Sequence, residues 1–96
     1  MRKLTALLAF ILVSVFAVQA QSQVKQCTVK SKILGVEKMY SVYLPDGYEK
    51  SGKNYPVLYL LHGAKGNHLS WVEKDRGNMQ EITDKAIAEG RAKEMI

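Results

Sequence analysis

The chain has 96 residues and carries 14 Lys and Arg against 9 Asp and Glu, a formal net charge of +5. Its single cysteine, Cys27, excludes an internal disulfide. The lysines are scattered, without a basic run or interleaved aromatics, and this gives nucleic-acid binding no support.

At the N-terminus, Arg2 and Lys3 precede a run from Leu4 to Val18 that is apolar except for Thr5 and Ser14. Val18 and Ala20 stand at positions −3 and −1 of a cut after "VQA", and polar sequence begins at Gln21. Charge, length and small residues together predict a signal peptide over residues 1–20. An uncleaved anchor is the rival reading, but the run is shorter than the ~20 residues a spanning helix needs. Residues 21–96 are then expected to be secreted or periplasmic, with no stable membrane anchor after cleavage. Removing Arg2 and Lys3 leaves 12 basic against 9 acidic residues, a mildly basic, solvated surface. Cys27 follows "VKQ", too bulky and charged for a lipid-attachment motif, and reads as a small side chain on a strand.

From Cys27 to Leu34 the sequence alternates loosely, with Cys27, Val29 and Ile33 against Thr28, Lys30 and Lys32. Beyond Gly35, Tyr40, Val42 and Leu44 share one strand face and Met39, Ser41 and Tyr43 the other. β-Branched and aromatic content on both sides of Gly35 predicts an antiparallel pair. Pro45 ends the second strand, and "PDGYEKSGKNYP" reads as a polar connection. "VLYLL", Val57–Leu61, shows no alternation and is expected to be a strand buried on both faces, which implies an α/β architecture.

Further on, Asn78 and Glu81 form a capping-box pattern. Met79, Ile82, Ala86 and Ile87 make an apolar stripe at helical spacing, while Gln80, Asp84, Lys85 and Glu89 are expected to face water. Gly90 is placed to stop the helix, and "MI" reads as the start of another strand. About three strands and one helix do not complete such a sheet, so the chain is expected to be the N-terminal portion of a larger protein.

The buried run ends at His62-Gly63, and His62 admits three readings: general base, metal ligand or turn residue. No nucleophile or orienting carboxylate is identifiable nearby for a base. His62 and His68 have no Cys, Asp or Glu between them, a weak metal pattern. A lone histidine hydrogen-bonded to neighbouring backbone is the plainest reading. Gly63 and Gly66 let main-chain N–H groups turn toward the carboxyl end of the sheet, where open α/β sheets bind ligands.

The segment Tyr40–Ile96 resembles the opening of the esterase D-like branch of the α/β-hydrolase superfamily. It is especially similar to secreted feruloyl and acetyl-xylan esterases of the carbohydrate-esterase type. The resemblance rests on the "YLPDGY" strand end, "YPVLYLLHG", Trp71 eight positions after Gly63, and "ITDKAIAEGRAKEMI". It implies an α/β-hydrolase sandwich of which this chain holds the antiparallel pair, the buried strand, the oxyanion loop and the first helix. The Ala64 N–H would then be an oxyanion donor, with His62 and Gly63 shaping the turn. Trp71 would lie near the mouth of the site, either packing the loop onto the sheet or touching substrate. No cofactor or metal is implied, and the substrate would be a small-molecule or polysaccharide ester.

One departure is large. No Gly-x-Ser-x-Gly elbow occurs, and Ser51 and Ser70 lack the flanking glycines. The triad is expected beyond Ile96, so Ser70, His68 and Asp75 are not promoted to it, and the 96 residues alone are expected to be inactive. Two rivals stand beside the esterase reading. One is an acyltransferase of the same fold. The other is a small exported binding module using Tyr40, Tyr43 and Trp71 as an aromatic platform. N-terminal sequencing of the exported protein should return Gln-Ser-Gln from Gln21; a sequence still starting before Ala20 would refute the cut.

Overall fold

The computed structural model describes residues 21–96. The expected signal peptide, residues 1–20, lies outside the described residues. Among those described, no helix is long and apolar enough to cross a membrane.

A hairpin opens the chain. Strand β1 (Gln23–Ser31) pairs antiparallel with β2 (Val36–Leu44), in register from Gln23↔Leu44 to Ser31↔Val36. The turn closes where Gly35 N–H donates to the Ser31 carbonyl at 2.9 Å, with Gly35 at a φ of 68° that a side chain would resist. β1 begins four residues before Cys27. Gln23, Lys25 and Gln26 show no apolar alternation, and it is backbone pairing with Leu44, Val42 and Ser41 that extends the strand.

The two faces differ in what they meet. Tyr43, Ser41 and Met39 share a face with Val24, Gln26 and Thr28, and on that face Tyr43 is buried. Tyr40 is on the opposite face and exposed.

Part of the segment after Pro45, expected to be irregular, forms one helical turn, α1 (Tyr48–Ser51). Gly47 and Gly52 bound it at φ 76° and 61°, left-handed positions that glycine fills without strain. Tyr55 closes the connection by donating its hydroxyl to Ser51 Oγ at 2.8 Å, its ring 5.5 Å from that of Tyr48.

Val57–Leu61 departs from expectation. All five residues are exposed, and no strand forms over them among the described residues. Burial on both faces needs neighbouring strands and covering helices, and the hairpin offers this segment no paired edge. One parallel-type link is present: Ile96 N–H donates to the Pro56 carbonyl at 3.0 Å, and Leu58 N–H donates to the Ile96 carbonyl at 2.8 Å. Those bonds flank Val57 in the parallel-strand manner, with helix α2 (Met79–Ala88) between the two partners. This is the start of a βαβ unit within an α/β fold.

Helix α2 ends as the sequence predicts and begins otherwise. At its C-terminus Gly90 takes φ 73°, Gly90 N–H donates to Ile87 and Arg91 N–H to Ala86, the paired bonds of a Schellman stop. At its N-terminus Asn78 is left-handed (φ 47°) and caps no N–H; its side-chain amide donates instead to Glu81 at 3.0 Å. The expected capping box is therefore a side-chain pair.

The inward face of α2 is corrected in part. Asp84 is exposed as expected yet accepts from Tyr43 on β2, Gln80 is half-buried and bonds Ser22 just before β1, Thr83 is buried, and Ile82, expected to face inward, is exposed. Gln80, Thr83, Asp84 and Ile87 follow i, i+3, i+4, i+7 spacing, so a largely polar stripe meets the strands. Tyr43 donates to Asp84 Oδ1 at 2.6 Å and Ser22 to Asp84 Oδ2 at 2.7 Å. Gln80 Nε2 donates to the carbonyl and hydroxyl of Ser22 at 3.0 and 3.2 Å.

Burial, reinforced by the carboxylate it donates to, pushes the Tyr43 phenol above its ordinary range. Folding favours the neutral phenol, so its contribution is complete below pH ~10 and is lost as pH rises beyond that. Tyr43→Phe should cost about 1 kcal/mol in urea unfolding at pH 7. The parent's loss of stability above pH ~10 should be smaller in the variant, and equal pH profiles would refute this role.

Candidate functional site

The loop after Leu61 is organised by backbone bonds. His62 Nδ1 lies 2.8 Å from the carbonyl of Gly63, so the tautomer protonated there donates to its own neighbour's backbone. Gly63 to Gly66 then form a turn in which Gly66 N–H donates to the Gly63 carbonyl at 3.1 Å. Lys65, its third residue, has φ 63°, the left-handed position a type II turn requires. The Ala64 N–H, on the second residue of the turn, has no hydrogen-bond partner among the described residues, and Ala64 is exposed. An unpaired main-chain donor at the carboxyl end of an extended apolar segment suits a developing negative charge on oxygen.

Beyond the turn the loop is tied down at several points. Asn67 Oδ1 accepts from Leu69 N–H at 2.8 Å, while Asn67 N–H donates to Ser70 Oγ at 3.0 Å. Ser70 thus holds backbone, and Ser51 does likewise through the Tyr48 carbonyl at 3.1 Å. A Cβ on Gly66 would come within 2.9 Å of Ser70 Oγ and 3.0 Å of His62 Cβ, so the turn closes tightly over these two residues. From strand β2, the Ser41 hydroxyl reaches the His68 carbonyl at 2.6 Å.

Trp71 joins the two ends of the loop. Its indole N–H donates to the Leu61 carbonyl at 3.2 Å, and its own carbonyl accepts from Met79 N–H at 2.9 Å. Gly77 N–H donates to the Ser70 carbonyl, and a Cβ there would lie 2.5–2.8 Å from the Trp71 backbone. The end of the apolar segment and the first residue of α2 are therefore linked through one residue.

The three aromatics of the binding-module reading do not form one surface. Tyr43 is buried against α2, whereas Tyr40 lies on the other face of the hairpin. Among the described residues no three His, Cys, Asp or Glu side chains gather as a metal site. An open groove of about 450 Å3 runs beside the Tyr43–Asp84 pair, lined also by Gln21, Asp46 and Glu94.

A family model described as "Putative esterase" matches residues 31–96. An endo-1,4-beta-xylanase/feruloyl esterase of Xylanibacter ruminicola is 40% identical over 77 residues, which cover 76% of this chain and 10% of that protein. The solved structure of a ferulic acid esterase matches with a TM-score of 0.75 at 40% sequence identity, over 80% of this chain and 30% of the other. The chain thus spans a tenth of the first relative's length and under a third of the second's.

Gly77→Ala should destabilise the loop, because its Cβ must displace the Trp71 backbone. A cost of about 1–3 kcal/mol is expected, as for other overpacked positions. Thermal unfolding of the purified variant checks it, and a parental midpoint would contradict the contact.

Proposed function

The chain belongs to the esterase family, and on that premise we propose that it carries the oxyanion loop of an exported serine esterase acting on carboxylic esters. The complete enzyme forms an acyl-enzyme on a serine that a histidine deprotonates, and water then releases the acid. Ala64 N–H is one of the donors that hold the tetrahedral oxygen. The nucleophile and its partners come from residues outside these 96, since no Gly-x-Ser-x-Gly elbow occurs here. His62 and Gly63 shape the turn that presents the amide.

The observation that carries this reading is the Gly63–Gly66 turn, which leaves Ala64 N–H unpartnered among the described residues directly after Val57–Leu61. Two relatives named for feruloyl ester cleavage support aromatic acyl esters of plant cell-wall polysaccharide as the substrate class. The charge and cleavage pattern of residues 1–20 supports export.

The test uses the full-length enzyme with methyl ferulate. Ala64→Pro removes the N–H yet suits the second position of such a turn. It should lower kcat about 10²–10³-fold, as does loss of an oxyanion donor elsewhere. Ala64→Gly keeps the N–H and should stay within a few-fold of the parent. A folded Ala64→Pro enzyme with parental kcat would remove Ala64 from the mechanism.

A further inference from the structure

We infer that Trp71 is a positioning residue, whose indole N–H fixes the Ala64 amide by holding the Leu61 carbonyl; this rests on the esterase reading above. The bond falls three residues before Ala64, at the last peptide of the apolar segment before the His62-Gly63 pair. A small shift of that peptide moves the whole turn, because Gly66 N–H closes it back onto Gly63.

The other end of the link is equally defined. Met79 N–H holds the Trp71 carbonyl at 2.9 Å, and the absent side chain of Gly77 lets the chain press against the Trp71 backbone. Helix α2 is itself fixed to the hairpin through Asp84. Trp71 therefore transmits the position of α2 to the Ala64 turn, and Ser41, bonded to the His68 carbonyl, holds the middle of the same loop to β2.

Packing alone does not account for tryptophan here. The residue is 43% exposed, and its one polar atom is engaged with backbone. A phenylalanine would supply comparable apolar contact without that bond. Oxyanion donors act only within about 2.7–3.1 Å of the reacting oxygen, so a displaced turn lowers the rate of the chemical step more than it lowers substrate affinity.

The two roles open to Trp71 predict different kinetics. In the full-length enzyme, Trp71→Phe keeps an aromatic ring and removes the N–H. Positioning predicts that kcat falls about tenfold on both 4-nitrophenyl acetate and methyl ferulate, with KM within twofold. Affinity for a trifluoromethyl ketone, which forms an oxyanionic adduct on the serine, should fall by a similar factor. Gly77→Ala displaces the Trp71 backbone without touching the indole and should give the same split; it also serves where Trp71→Phe fails to fold.

A rise in KM for methyl ferulate alone, with kcat kept, would make Trp71 a substrate contact and overturn the inference. Parental kcat and KM in a folded Trp71→Phe enzyme would reduce the bond to scaffold and overturn it equally. Those outcomes are separable from failure of the esterase reading, which would appear as a parent enzyme inactive on both esters and would take the inference with it.

Discussion

The arrangement depends on one carboxylate. Asp84 accepts hydroxyl bonds from Tyr43 on β2 and from Ser22 just before β1, and Gln80 one turn earlier holds Ser22 again. Tyr43 is the one buried hydrophobic residue among those described, so apolar packing does little to orient α2 against the hairpin. Directional bonds do it instead, and hydrogen bonds to a charged acceptor are among the stronger ones available. Once α2 is set, Met79 fixes Trp71, and Trp71 fixes the end of the apolar segment that leads into the turn.

The hairpin and the helix C-terminus were legible because local chemistry decides them. Gly35 and Gly90 occupy left-handed positions, and the strand faces follow from simple alternation. What could not be read was decided by distant partners. Gln23–Gln26 is a strand because β2 offers it a ladder. Asp84 is tied to the strands because Tyr43 and Ser22, 41 and 62 residues away in sequence, claim its oxygens. Asn78 and Glu81 have the right spacing for a capping box, but the backbone of Asn78 is left-handed and its side chain pairs with Glu81 alone.

The candidate site was legible in a different sense. The proposed oxyanion donor is a main-chain N–H, so no side chain announces it, and Ala64 stood out only through the glycines around it and the family resemblance. The structure adds the turn geometry that leaves this amide without a hydrogen-bond partner among the described residues. It also shows a bond of Trp71 that spacing cannot express, because a link from an indole to a carbonyl ten residues earlier leaves no periodic trace. Ser70 and Ser51, the serines nearest a catalytic appearance, are occupied in holding loop backbone.

The link between Val57 and Ile96 also orders the events by which this part of the molecule assembles. Hairpin contacts span from 5 residues, Ser31 to Val36, to 21 residues, Gln23 to Leu44. The parallel link spans 39, from Val57 to Ile96. Loop-closure entropy makes the longer ring about 2 kcal/mol costlier to close than the shortest hairpin ring. A hairpin zips in about 1–10 μs. On a growing chain, therefore, β1 and β2 pair before Ile96 is available to bond the backbone around Val57. Val57–Leu61 stays exposed with that link in place, so among the described residues it is an apolar stretch left open to further strand pairing.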